Sequence, residues 1–174
     1  ACWVLGKVDM TMPVTKRWCY RGAAAVLVLG AGVLIYGWGY TKPPYEVPWR
    51  TWSPERVETA VRSGNTVLVD FTAAWCTVCK ANKKLAFNTR EVGDKIESLS
   101  VIPFQGDFTS GNDGIAAELR KHGRAGVPLN LIYPAGKPDD PIVLQTNLNK
   151  RYLLQKLDEA GPSPHPSPDA RPSP

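Results

Sequence analysis

The chain has 174 residues with 21 Lys+Arg, 16 Asp+Glu, four Cys and 16 Pro, enough for one ordinary domain and extra segments but not for two full domains. At 43% hydrophobic and 21% charged it is neither disordered throughout nor collagen-like, and four cysteines are too few for a disulfide-stapled miniprotein. The net charge of +5 gathers at the N-terminus: residues 1–22 carry Lys7, Lys16, Arg17 and Arg21 against Asp9, whereas residues 53–160 carry 14 basic and 13 acidic side chains, a balance that argues against a nucleic-acid surface.

Residues 23–40 contain no charge. At 1.5 Å per helical residue they would cover about 27 Å, close to the hydrocarbon thickness of a bilayer. Trp18 and Tyr20 stand at one end, and Tyr36, Trp38 and Tyr40 at the other, as an interfacial aromatic belt would. The run predicts a transmembrane helix, and the basic residues before it predict that 1–22 is cytoplasmic and the rest lies across the membrane. A buried core helix or a cleaved signal peptide are the competing readings, although no small-x-small cleavage pattern follows the run. The chain starts without Met, which fits the C-terminal part of a longer polytopic protein as well as a processed chain.

Residues 41–52 form a Pro-rich, aromatic linker, predicted to be extended. Ser53 caps a helix with Pro54 at its first position, ending near Arg62 and Ser63-Gly64-Asn65. Thr66–Phe71 is a short apolar run, as a central strand requires. A helix begins near Cys76 and continues through Leu85, and Val92, Ile96 and Leu99 mark one face of another. Val101–Phe104 is a strand that Pro103 assigns to a sheet edge. Ile115–Lys121 is helical, Leu129–Tyr133 and Ile142–Leu144 form a hairpin, and 149–160 is a closing helix with Leu153, Leu154 and Leu157 inward. Residues 161–174, with six prolines, form a tail predicted to be disordered. The order α, β-α-β-α, β-β-α predicts one α/β domain over 53–160, a mixed sheet covered on both faces.

The chemistry concentrates at Cys76-Thr-Val-Cys79. A cysteine opening a helix meets unpaired backbone N–H groups and the positive end of the macrodipole, which favour its thiolate. Cys79 lies one turn later, within reach for a disulfide, so that Cys76 can attack a partner disulfide and Cys79 can resolve the product. Lys80, Lys83 and Lys84 add positive charge. Two other readings stand beside this one. The first is half of a zinc site, for which only His122 and His165 remain on that side of the membrane, in no paired spacing. The second is a purely structural disulfide. No metal or cofactor is expected beyond the cysteine pair. Cys2 and Cys19 fall on the reducing side and are expected to be free thiols.

Val69-Asp70-Phe71-Thr-Ala-Ala-Trp75-Cys76-Thr-Val-Cys79-Lys80 resembles the active-site segment of the thioredoxin superfamily, and Gly126-Val127-Pro128 resembles the segment ending in its cis-proline. Together with Trp52-Ser-Pro-Glu-Arg56, Gly106-Asp-Phe-Thr109 and Gly126-Val-Pro-Leu129, the segments resemble the C-terminal periplasmic domain of DsbD-type thiol:disulfide interchange proteins. The resemblance implies a thioredoxin fold behind the membrane helix. It implies a protein-disulfide reductase of the bacterial inner membrane, a group also connected with cytochrome c biogenesis. Its partners would be periplasmic disulfide-bearing proteins, and an upstream membrane domain absent from this sequence would donate the electrons.

Carried over by residue, the resemblance makes Cys76 the nucleophile and Cys79 the resolving thiol. Val127 and Pro128 would hold an extended substrate backbone, and Trp75 would pack beside the disulfide or serve as plain core. Asp70, inside an apolar strand, would exchange a proton with Cys79, its pKa raised by burial; a solvated strand edge is the alternative. The intervening Thr-Val departs from thioredoxin's Gly-Pro, and the lysines favour a more oxidising pair. An oxidase or isomerase, and a tethered partner- or copper-binding module, are therefore the other functional readings.

Overall fold

In a computed structural model of the chain, the structure describes residues 14–39 and 45–164. The chain divides into two units, Ala1–Lys42 and Pro43–Pro174. Cys2, Tyr40, His165 and most of the predicted tail lie outside the described residues.

The first unit contains helix α1, Val14–Gly39. Its described side chains include exposed Trp18, Val26, Leu29, Val33 and Leu34. The predicted membrane span is not supported here: among the described residues no helix is long and apolar enough to cross a membrane. The side chains of 35–39, which would complete the apolar run, lie outside the described residues.

The second unit orders its elements β1 (Arg50–Thr51), α2 (Pro54–Arg62), β2 (Val67–Thr72), α3 (Thr77–Asn82), α4 (Arg90–Ser98), β3 (Ile102–Asp107), α5 (Asp113–Lys121), β4 (Leu129–Tyr133), β5 (Ile142–Val143) and α6 (Lys150–Ala160). A π-helical stretch, Lys83–Phe87, continues α3 directly. Local chemistry accounts for the boundaries. The side chains of Ser53, Asn112 and Asn149 accept hydrogen bonds from the backbone N–H three residues on, capping α2, α5 and α6.

The sheet has the order β1-β3-β2-β4-β5. β3 runs parallel to β1 and β2, and β4 runs antiparallel to β2 and β5. This is a mixed sheet flanked by helices. One core joins Leu68 and Ile132 to Phe87, Ile96, Leu153 and Leu157. The other joins Val69, Phe71 and Leu131 to Val57, Val61, Ile115 and Leu119. β2 is buried at every position, as its apolar run predicts.

Two expectations change. β3 is not an edge strand, because β1, inside the predicted linker, pairs with it at Arg50↔Phe104 and Thr51↔Gln105. Ile102 N–H donates toward β2, to Thr66 O. Strand alternation therefore turns the Pro103 nitrogen toward β1 at a level where β1 has not begun, so no ladder bond is lost there. The chain also does not leave the domain at residue 161. Ser163 Oγ accepts from Thr66 N–H at 2.9 Å and donates to Ser100 O at 2.7 Å, while Thr66 Oγ1 donates to Gly161 O at 2.9 Å.

Candidate active site

β2 ends at Thr72, and the chain turns through Ala73–Trp75 into α3. Cys76 is the N-cap of that helix: its backbone is extended, and its Sγ accepts from Cys79 N–H at 3.1 Å. The two cysteines form a disulfide, with an S–S distance of 1.99 Å and Cα atoms 5.3 Å apart. Both are nearly buried, Cys76 at 5% exposure and Cys79 at 2%. Phe108 and Val127 pack against them and Ala73. The Val127–Pro128 peptide bond is cis, and Pro128 is buried at the start of β4. The structure thus brings Val127 to the cysteines although it lies some fifty positions away in sequence.

Trp75 is not core. It is 59% exposed, and its indole N–H donates to Thr109 O at 3.3 Å. Thr109 is a residue to which the sequence reading gave no role. Its Oγ1 accepts from Ala74 N–H at 2.8 Å and donates to the Asp107 carboxylate, which also accepts from Thr109 N–H at 2.8 Å. These bonds hold the Asp107 carboxyl below its usual range. The turn before Cys76 is therefore tied to the β3–α5 loop.

On β2, the strand that leads into the cysteine-bearing helix, Asp70 lies inside the domain at 2% exposure, not at a solvated edge. Gln105 Nε2 donates to Asp70 Oδ2 at 2.9 Å, across the β2–β3 register pair Asp70↔Gln105. Burial raises the Asp70 pKa to about 6, against the opposing influence of Lys83 and the Gln105 hydrogen bond. Burial dominates because an ionised carboxylate there exchanges bulk water for one amide donor and one nearby cation.

The helix bearing the cysteines is anchored by a second missed residue. Asn82, one turn beyond Cys79, is buried. Its Nδ2 donates to Thr146 O at 2.9 Å, and its Oδ1 accepts from Leu148 N–H at 2.9 Å. An Asn on the same helical face as Cys79 is the signal that could have pointed to it, since a buried amide demands partners. The π-helical stretch follows at once, closed by Asn88 N–H to Lys83 O at 2.8 Å. Such wider turns recur at functional sites.

The other predicted features lie elsewhere. His122 Nε2 is 3.1 Å from Glu118 Oε1, on α5. Among the described residues no group of three or more potential ligands is placed to hold a metal ion. Cys19 is an exposed free thiol on α1. A cleft of about 520 Å³ opens beside β1, lined by Arg50, Arg56, Ser63 and Ile102 among others, and includes neither active-site cysteine.

Residues 48–135 match the model of a family described as thioredoxin-like. The thiol:disulfide interchange protein DsbD of Ralstonia nicotianae (strain ATCC BAA-1114 / GMI1000) is 28% identical over 88 residues, 51% of this chain. The match spans only 14% of that protein's length. Among solved structures, the C-terminal domain of Neisseria meningitidis DsbD is similar in its oxidised form (TM-score 0.52) and its reduced form (TM-score 0.51). Both are 21% identical, over 61% of this chain and 90% and 91% of theirs. The first thioredoxin domain of mouse protein disulfide-isomerase A4 gives a TM-score of 0.50 at 18% identity, over 76% of this chain and 90% of that one. The structural likenesses concern the fold.

Proposed function

The chain belongs to the thioredoxin-like family, and on that premise we propose that it is a thiol:disulfide oxidoreductase that reduces protein disulfides through Cys76 and Cys79. The observation that carries the reading is the disulfide at the helix start, with a buried carboxyl, Asp70, in the strand that leads into that helix. In the reduced protein, the Cys76 thiolate attacks one sulfur of a partner disulfide. A mixed disulfide forms, and the partner's other sulfur leaves as a thiolate. Cys79 then gives its proton to Asp70, and its sulfur attacks Cys76. The Cys76–Cys79 bond closes and the partner's second thiolate departs. Two electrons pass to the partner, whose thiolates take up protons from Asp70 and water. A pKa near 6 suits Asp70 to this exchange near neutral pH. Trp75 and the Val127–Pro128 segment, flanking the disulfide, would seat the partner backbone.

The proposal includes its setting. The uncharged run 23–40 behind Lys16, Arg17 and Arg21 supports a tether in the bacterial inner membrane with the catalytic domain in the periplasm. The exposed apolar residues spread along α1 also favour a nonaqueous surrounding. An upstream membrane domain would return the disulfide to the dithiol state. Alkaline extraction of membranes bearing the full chain should leave it in the pellet; release into the supernatant would remove the tether.

A second reading, an oxidant, is favoured by Lys80, Lys83 and Lys84, which share one helical stretch with no acidic residue between Cys76 and Arg90. Cations that favour the thiolate make a pair more oxidising. Trapping tests the exchange itself. Cys79→Ser should accumulate a mixed disulfide with a partner peptide, and Cys76→Ser should not. Equal trapping by both variants, or by neither, would defeat the reading.

A further inference from the structure

The central strands carry a polar rung that the exchange mechanism only partly uses. Gln105 on β3, Asp70 on β2 and Asn130 on β4 are register partners across three neighbouring strands. Leu68 and Ile132, two residues away on β2 and β4, place the rung on the sheet face packed by α4, α6 and the π-helical stretch. Gln105 already bonds Asp70. Asn130 is 1% exposed, and its Oδ1 is buried with no hydrogen-bond partner among the described residues.

A buried acceptor left unpaired costs about 1–3 kcal/mol and calls for a physical explanation. Directly opposed antiparallel residues hold their Cβ atoms roughly 5 Å apart, so an Asp and an Asn side chain can meet there. An ionised carboxylate can only accept, but a protonated one carries an O–H donor. We propose that Asn130 is a positioning residue for the proton of Asp70: its Oδ1 accepts the carboxyl O–H while Asp70 is protonated and loses that partner when the proton leaves. This rests on the proposed exchange reaction, in which Asp70 takes that proton from Cys79. Gln105 then holds one carboxyl oxygen in both states, and Asn130 fixes which oxygen carries the proton.

Two groups bear on any titration of Asp70. Lys83, from the helical stretch above, pulls its pKa down, and the cysteines titrate only when reduced. The experiment therefore uses the oxidised full chain, in which the disulfide does not titrate. Carbon-13 NMR follows the side-chain carbonyl of Asn130 and the carboxyl of Asp70 from pH 4 to 9. The expected result is a downfield shift of the Asn130 carbonyl as pH falls, with the same midpoint as Asp70, and no such shift in Asp70→Asn. An Asn130 carbonyl that stays flat while Asp70 titrates overturns the proposal, as does an Asp70 that does not titrate in this range. A response carried instead by the Asn130 amide protons, moving downfield as pH rises, would mean that the amide donates to the carboxylate, and this too overturns it. The titration needs no partner protein. Failure of the trapping experiment would thus remove the exchange reading while this hydrogen bond stood.

Discussion

Asp70 holds its charge against the packing around it. Its folded pKa, about 6, lies above the ordinary carboxylate value of 3.8, so the native state binds the proton more tightly than the unfolded chain. The contribution to stability is present below pH 3.8, is lost as pH rises through 6, and is fully absent above that. A gap of that size corresponds to about 3 kcal/mol. Asp70→Asn keeps an oxygen for Gln105 and removes the charge. It should raise stability by up to about 3 kcal/mol at pH 8 and by almost nothing at pH 4, read by urea unfolding at both pH values. An equal effect at both would mean that the carboxyl is not titrating in this window. The same variant should slow disulfide exchange, since Cys79 loses its proton acceptor. Cys76, Cys79 and Asp70 were legible in sequence because each sits in a local pattern: a helix start, a one-turn spacing, an apolar strand. Gln105 and Asn130 were not, and Thr109 entered only as the end of a family-like segment, without a role. Their importance comes from strand register and loop contact across 30 to 60 positions, and a Gln or Asn in a strand carries no local mark of its partner.

At the scale of elements, two devices hold the elements around the site. The first is Asn82, whose amide closes hydrogen bonds to the segment before α6 at Thr146 and Leu148. Asn82→Ala leaves a buried carbonyl and a buried N–H unpaired, so it should cost roughly 2–4 kcal/mol. Its effect on the exchange rate should be larger than that of a surface substitution such as Lys95→Ala. Chemical denaturation and trapping kinetics measure the two. The second device is the close packing of β2 on β3. Gly106 opposes Phe71, and a Cβ there would stand 2.6 Å from the Phe71 ring, which also meets Trp52 edge-on at 5.0 Å. Gly106→Ala should therefore cost about 1–3 kcal/mol by overpacking, visible as a lowered denaturation midpoint; an unchanged midpoint would show that the ring moves freely. Most elements followed from caps and periodicity. Strand β1 did not, because two residues between prolines and tryptophans carry no alternation, and only the open side of β3 gives them a role. Pro103 had assigned β3 to the edge, which β1 covers instead.

For the whole molecule, the sheet separates two apolar cores, and the disulfide sits at one end of it, against the cis Val127–Pro128 segment. Thr66, just before β2, and Ser100 hold Gly161 and Ser163 against the domain. The mixed α/β order was readable because caps and periodic apolar faces mark the helices and short apolar runs mark the central strands. The course of the chain past residue 160 was not, since proline content suggested disorder and gave no sign of a buried serine. What the fold leaves to the chemistry is the direction of electron flow. Buried Asp70 and the helix-capping Cys76 serve either direction, and the lysines of the helical stretch weigh toward oxidation. The direct test is the reduction potential of the Cys76–Cys79 pair in the full chain, equilibrated in thiol buffers of known poise and followed by Trp75 fluorescence. A reductase requires a value of about −270 to −200 mV, whereas a value near −120 mV would contradict it and make this protein an oxidant.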